Sequence, residues 1–231
     1  MTGGPTAPTS DLVATRLALV RERIERAGGD DRTRVVAVTK GFGPPAVRAA
    51  VAAGLSDVGE SYAAELFATR AAVDAEGLEP APRWHFLGRV QRNKVAKLAG
   101  AVDLWQAVDR VAAARAIANR APGAAVLVQV NVSGVAGRYG CPFEEAEGLV
   151  LAAGAFGLRP QGLMAVGLPG PPGSVGNGYR RLAAMARELG LPECSMGMTG
   201  DLEEAVSAGS TMVRIGQGLF GPRPGADELR R

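Results

Sequence analysis

Lys40 closes a run of β-branched and small apolar residues, Arg34-Val-Val-Ala-Val-Thr-Lys40, and glycines interrupt the chain directly after it at Gly41 and Gly43. A buried strand reads this way when it delivers one polar head to the mouth of a sheet. In parallel α/β proteins chemistry is placed at the carboxyl ends of strands, where a partly desolvated amine loses some of its charge and becomes nucleophilic. Schiff-base formation with a carbonyl compound is the reaction open to such an amine. A rim lysine with its head in water fits the same position equally well.

A second group of candidates lies far downstream. Ser195-Met-Gly-Met-Thr-Gly-Asp201 and Arg214-Ile-Gly-Gln-Gly218 carry glycines and small hydroxyls after two short apolar runs. Backbone N–H groups in such loops, together with a helix amino terminus, favour an anion, and the spacing suits a phosphate held at Met198-Thr199 and Gly216-Gln217. The same glycines also serve as plain turns. A helix is predicted to begin near Asp201, with Glu204 completing a capping box. Arg214 sits inside the last strand, so its cation must find an acceptor. One reading is an ion pair with a carboxylate such as Glu60; the other is a guanidinium facing an unprotonated ring nitrogen of a heteroaromatic ligand. His85, the single histidine, stands between Trp84 and Phe86, where a satisfied core imidazole is the commoner outcome. No nucleophilic triad, paired carboxylates or metal-ligand spacing accompanies it.

The elements that must position these groups alternate regularly. A leading helix spans 11–27, stopped by Gly28-Gly29, and strands are predicted at 34–40, 57–60, 84–87, 103–108, 125–131, 161–166, 193–197 and 211–215. Helical stretches at 44–54, 62–75, from Gln91, from an N-cap at Asp109 to about 120, and at 142–153 separate them. Eight short strands alternating with helices predict an α/β protein with a single (β/α)8 TIM barrel and an extra amino-terminal helix, ahead of an open doubly wound sheet. The Pro/Gly stretch 167–178 reads as a loop over the barrel mouth. The expected organisation is a disordered tail over 1–10, one barrel domain over 11–224 and a short tail over 225–231.

Composition narrows the classes. The 231 residues are 47% hydrophobic, and the net charge of +3 arises from Lys and Arg scattered among Asp and Glu. That pattern predicts a solvated surface and no nucleic-acid partner. Cys141 and Cys194 stand far apart without a CxxC context, as reduced thiols of a cytoplasmic protein would. No window has the length of a membrane span, and no targeting segment precedes the first helix. No apolar patch of the kind an obligate dimer needs is evident, so a monomer is expected.

Several blocks together resemble a known family: Val38-Thr-Lys40, Val58-Gly-Glu-Ser-Tyr62, Trp84-His-Phe-Leu-Gly-Arg-Val-Gln-Arg-Asn-Lys94, Gly162-Leu-Met164, Ser195-Met-Gly-Met198 and Gly209-Ser-Thr-Met-Val-Arg-Ile-Gly216. From about residue 12 to Arg223 the chain is similar to the pyridoxal phosphate homeostasis proteins, which share the barrel of the alanine racemase amino-terminal domain. The resemblance implies that Lys40 carries pyridoxal 5′-phosphate as an internal aldimine, that Arg214 faces the pyridine nitrogen, and that the loops at Met198-Thr199 and Gly216-Gln217 hold the phosphate. Ser61 and His85 are the further cofactor contacts it implies. Three positions depart from the family pattern: Ser61 stands where an asparagine is usual, Gln217 where a threonine is usual, and Arg138 where a lysine is common, which puts a second covalent attachment there in doubt.

The function this resemblance implies is a carrier or buffer of pyridoxal phosphate with no robust catalytic activity and transient contact with apo-enzymes. An arginine beside the ring weakens it as an electron sink. The chain also stops at Arg231 without the β domain that gives related racemases a second acid/base tyrosine. A weak racemase-like enzyme using Lys40 as a base is the alternative, and a cofactor-free Schiff-base aldolase or phosphate-sugar isomerase a further one.

Overall fold

The computed structural model describes residues 8–167 and 176–223. Eight strands, β1 (Arg34–Val38), β2 (Asp57–Glu60), β3 (Arg83–Phe86), β4 (Leu104–Val108), β5 (Ala125–Gln129), β6 (Arg159–Met164), β7 (Glu193–Ser195) and β8 (Met212–Ile215), close in sequence order into a parallel barrel. Every strand pair is parallel, and β8 returns to β1 through Arg34↔Met212, Val35↔Val213, Val36↔Arg214 and Ala37↔Ile215. Helices α1 (Ser10–Arg26), α2 (Pro44–Ala52), α3 (Ala63–Ala75), α4 (Arg92–Leu98), α5 (Val111–Ala118), α6 (Phe143–Ala155), α7 (Gly176–Glu188), α8 (Leu202–Ser207) and α9 (Gln217–Phe220) surround it.

Alternation along the strands divides the apolar residues into two bodies. Val36, Leu104, Ala125, Leu127, Met164 and Met212 fill the barrel interior. A much larger cluster, with Val35, Ala37, Trp105, Val126, Val213 and Ile215 from the strands, packs outward against the helices. Burial on both faces is why the strands read as nearly continuous apolar runs.

Several boundaries differ from the sequence reading. β1 ends at Val38 and not at Lys40; the Thr39 side chain turns outward and donates to Glu60 Oε1 at 2.7 Å. Strand period then returns Lys40 to the inner side. α1 begins at Ser10, with Thr9 as its N-cap, inside the stretch read as a tail. The remaining tail residues 1–7, the loop residues 168–175 and residues 224–231 lie outside the described residues, and 176–178, read as loop, belong to α7. Arg110, not Asp109, is the N-cap of α5; the Asp109 carboxylate pairs with Arg110 and with Arg89 instead. The predicted capping box at α8 is also corrected: Asp201 occupies the N-cap, but its carboxylate accepts from the Met198 N–H and from Tyr179 Oη at 2.7 Å rather than capping the helix.

The leading helix clamps the carboxyl-terminal loops. Arg23 of α1 forms a two-point pair with Glu203, and its Nη2 also donates to the Thr199 carbonyl at 2.9 Å. Arg16 Nη1 reaches the Leu219 carbonyl at 3.1 Å. Bidentate geometry makes such a contact more specific than a surface pair.

Two features at the carboxyl ends of β2 and β3 generate stability predictions. A Cβ on Gly88 would come within 2.0 Å of the Ser61 carbonyl oxygen, so Gly88→Ala should force the two segments apart. The expected loss is about 1–3 kcal/mol in denaturant unfolding, with Ser61 displaced; unchanged stability would contradict this packing. Glu60 is wholly buried, its Oε2 has no hydrogen-bond partner, and burial pushes its carboxyl up to about 7. A carboxyl raised in the folded state contributes stability that is complete below the unfolded value of about 4.5 and is lost as pH rises through about 7. Glu60→Gln should abolish this decline, so that the variant gains on wild type by on the order of 2 kcal/mol between pH 5 and pH 8. Parallel pH profiles of the two proteins would refute the assignment.

Candidate functional site

The carboxyl ends of the strands enclose a cavity of about 370 Å³, within the range of small-molecule sites. Val38, Leu87, Met164 and Val166 supply apolar wall, Lys40, Arg214 and Arg223 the charge, and Met198-Thr199-Gly200 with Gly216-Gln217 the loop side. Seven of the eight residues named from the sequence therefore meet here: Lys40, Ser61, Met198, Thr199, Arg214, Gly216 and Gln217.

His85 does not. It is 0% exposed and hydrogen-bonded on both ring nitrogens, to Asp57 Oδ1 at 2.8 Å and to Gln106 Nε2 at 2.7 Å. The expectation of a cofactor contact is corrected for a geometric reason: His85 lies within β3, two residues before Leu87, and it is Leu87 that reaches the cavity.

Lys40 is half-buried and, among the described residues, makes no ion pair within 4 Å. Burial lowers its ammonium below the ordinary lysine range, the nearby cations Arg223 and Arg214 lower it further, and Glu60 and Glu65 oppose them. The amine thus holds more of its lone pair near neutral pH than a solvated lysine does.

Arg214 is 4% exposed and no carboxylate lies within 4 Å of it among the described residues. Its Nη1 donates to Ser195 Oγ at 2.7 Å and its Nη2 to the Ala165 carbonyl at 2.6 Å. The ion pair with Glu60 is not formed, since Glu60 is turned outward to Thr39. A guanidinium has five N–H donors, so these two bonds leave others for a ligand.

The loops after β7 and β8 are tied together by the Gly218 N–H, which donates to Thr199 Oγ1 at 3.2 Å. A Cβ on Gly216 would stand 3.2 Å from the Val38 carbonyl oxygen, so the loop after β8 passes tightly over the end of β1. The Met198 N–H is already donated to Asp201, which corrects the expectation that this amide is available to an anion, although Met198 does line the cavity. Arg138 lies outside the cavity lining and donates to the Gly167 carbonyl at 3.3 Å.

Sequence reasoning missed Arg223, Leu87 and Val166 as cavity residues. Leu87 had a signal, since it follows His85 at strand period just before the break at Gly88. Arg223 follows the last helix in an irregular segment and had none. Among the described residues, no three His, Cys, Asp or Glu side chains converge to hold a metal ion, and no helix is long and apolar enough to cross a membrane.

Comparison with known proteins agrees with this geometry. The model of the alanine racemase amino-terminal domain matches residues 11–224. The pyridoxal phosphate homeostasis protein of Pseudomonas aeruginosa is 37% identical, over 93% of this chain and 95% of its own, and that of Deinococcus radiodurans is 36% identical over 88% and 97%. Among solved structures, PipY of Synechococcus elongatus PCC7942 with pyridoxal phosphate bound superposes with a TM-score of 0.75 at 28% identity, covering 90% of this chain and 100% of that one. The chain belongs to the family of the alanine racemase amino-terminal domain and, within it, to the pyridoxal phosphate homeostasis proteins.

Proposed function

We propose that this chain holds pyridoxal 5′-phosphate reversibly on Lys40 and acts in the homeostasis of that cofactor as a carrier or buffer, without robust catalytic activity of its own. The observation that carries the reading is the meeting, in one cavity, of the Lys40 amine just after β1 and a buried guanidinium from β8, neither of them in an ion pair within 4 Å among the described residues. The residues present fit the cofactor: an amine for its aldehyde, apolar walls for its ring, and glycine-bearing loops with a hydroxyl at Thr199 for its phosphate.

When bound, pyridoxal phosphate supplies an aldehyde that condenses with a primary amine and a ring that withdraws electrons from what is attached there. Lys40 contributes a lone pair made available by burial and by the field of Arg223 and Arg214. Arg214 contributes N–H donors and a permanent positive charge, so it accepts no proton and favours an unprotonated ring nitrogen beside it. Val38, Leu87 and Met164 would give the ring an apolar wall, and Thr199, Gly216 and Gln217 would border its phosphate. Ser61 and Gln217 belong to this set with shorter and longer side chains than the family pattern has.

Handover to apo-enzymes that need the cofactor, a monomeric state and a cytoplasmic location belong to the same proposal. Cys141 and Cys194 support the last: both are free and buried, and burial pushes each thiol up to about 12. Thiols so placed are inert at neutral pH and form no disulfide framework.

Protein loaded with pyridoxal phosphate should absorb visible light, and borohydride should bleach that band and leave the cofactor mass on the peptide containing Lys40. Lys40→Ala should be colourless while keeping its fold by circular dichroism; a coloured, borohydride-sensitive Lys40→Ala would overturn the assignment. Arg223 lowers the Lys40 ammonium, so Arg223→Ala should raise it and move the pH at which loading becomes fast to higher values. Loading rates followed by absorbance across the neutral and alkaline range check this, and an unmoved or downward-shifted profile would count against it.

A further inference from the structure

Among the described residues no carboxylate pairs with the buried Arg214 guanidinium within 4 Å, and Asp201 and Tyr179 favour its charge only from longer range, so the cation depends on its hydrogen-bond acceptors. Its Nη1 is the start of an unbroken series of short contacts through the barrel interior. Ser195 Oγ accepts from Arg214 at 2.7 Å and donates to Gln106 Oε1 at 2.7 Å. Gln106 Nε2 meets His85 Nδ1 at 2.7 Å, and His85 Nε2 meets Asp57 Oδ1 at 2.8 Å. All five residues are buried, and the series runs from β8 through β7, across to β4 and β3, and down to the amino end of β2.

The two ends determine the direction of every bond. Arginine only donates, so the Ser195 hydroxyl is left to donate onward, and it does so to the Gln106 oxygen. The Gln106 amide nitrogen is then a donor, which requires His85 Nδ1 to be the acceptor and puts the ring proton on Nε2, facing Asp57. Asp57 is the matching end: with His85 as a hydrogen-bond donor and Arg34 and Arg83 at 3.9 and 3.6 Å, its carboxyl lies below the ordinary range despite burial, and it accepts only. Glu193, also at that end, is engaged by Arg34 at 2.8 Å.

We propose that Arg214, Ser195, Gln106, His85 and Asp57 form a one-directional hydrogen-bond relay that couples the guanidinium in the cavity to a carboxylate near the opposite end of the barrel. Ser195, Gln106 and His85 are thereby positioning residues for Arg214, none of them in contact with the cavity except through it. The relay fixes the guanidinium at Nη1 while the Ala165 carbonyl holds Nη2, and its aligned dipoles favour the cation and leave the remaining N–H donors for what the cavity holds. Its link to ligand rests on the pyridoxal phosphate reading; its internal direction does not.

His85 is the single histidine of the chain, so nitrogen-15 spectra of the labelled protein report its ring without any assignment. The expected result is a neutral ring protonated on Nε2 and not on Nδ1, unchanged between about pH 5 and 8 where a solvated imidazole titrates. A proton on Nδ1, or a ring that becomes doubly protonated in that interval, overturns the relay. Arg214→Met should shift both ring signals in the absence of any cofactor, and Ser195→Ala serves the same purpose if that variant does not fold; ring signals identical to wild type overturn the coupling. Loading with pyridoxal phosphate, followed separately by absorbance, should move the His85 signals in wild type and leave them in place in Gln106→Leu. Loading by absorbance without movement of His85 in wild type overturns the coupling to ligand. If no absorbance develops, the cofactor reading fails, while the unloaded comparisons still decide the relay.

Discussion

The burial of Arg214 is the constraint around which the site is arranged. A guanidinium taken out of water needs acceptors, and the barrel gives it a serine hydroxyl and a main-chain carbonyl in place of a carboxylate. Had Glu60 turned inward to pair with it, the cation would have been consumed by the protein. Instead Thr39 holds Glu60 on the outer side of the sheet, and the inner side of the same two strands presents Lys40 and Ser61 to the cavity. Lys40 and Arg214 can then share a cavity, where burial, Arg223 and Arg214 lower the proton affinity of the amine against the opposing pull of Glu60 and Glu65.

Carbanion chemistry on a pyridoxal ring gains from a protonated ring nitrogen, and an arginine beside it works against that form. Among the described residues, the cavity lining holds one amine and no His, Tyr, Cys, Asp or Glu side chain. The relatives that this chain matches are named for pyridoxal phosphate homeostasis.

The leading helix has a role in the site that its distance in sequence conceals. Arg23 and Arg16 fasten α1 to Glu203, to the Thr199 carbonyl and to the Leu219 carbonyl, so the loops after β7 and β8 are held from outside the barrel. Thr199 in turn accepts from the Gly218 amide, which ties the two loops to each other. The loop side of the cavity is thus shaped by contacts between residues about 180 positions apart.

The order of strands and helices, the barrel, and the amine at the end of β1 were all legible in the chain, because apolar period, glycine breaks and a terminal lysine are local signals that parallel α/β architecture turns into position. The resemblance blocks added the cofactor and named seven of the residues that line the cavity. What the chain alone left open was which way buried polar groups face and what they meet. Arg214 could have paired with Glu60, His85 could have entered the cavity, and the Met198 amide could have been available to an anion; the first two were decided by partners distant in sequence, Ser195, Gln106 and Asp57, and the third by Asp201 three residues along, which also accepts from Tyr179. A hydrogen bond needs its partner at about 3 Å and in the right orientation, and only closure of the barrel brings β2, β3, β4, β7 and β8 close enough to supply one.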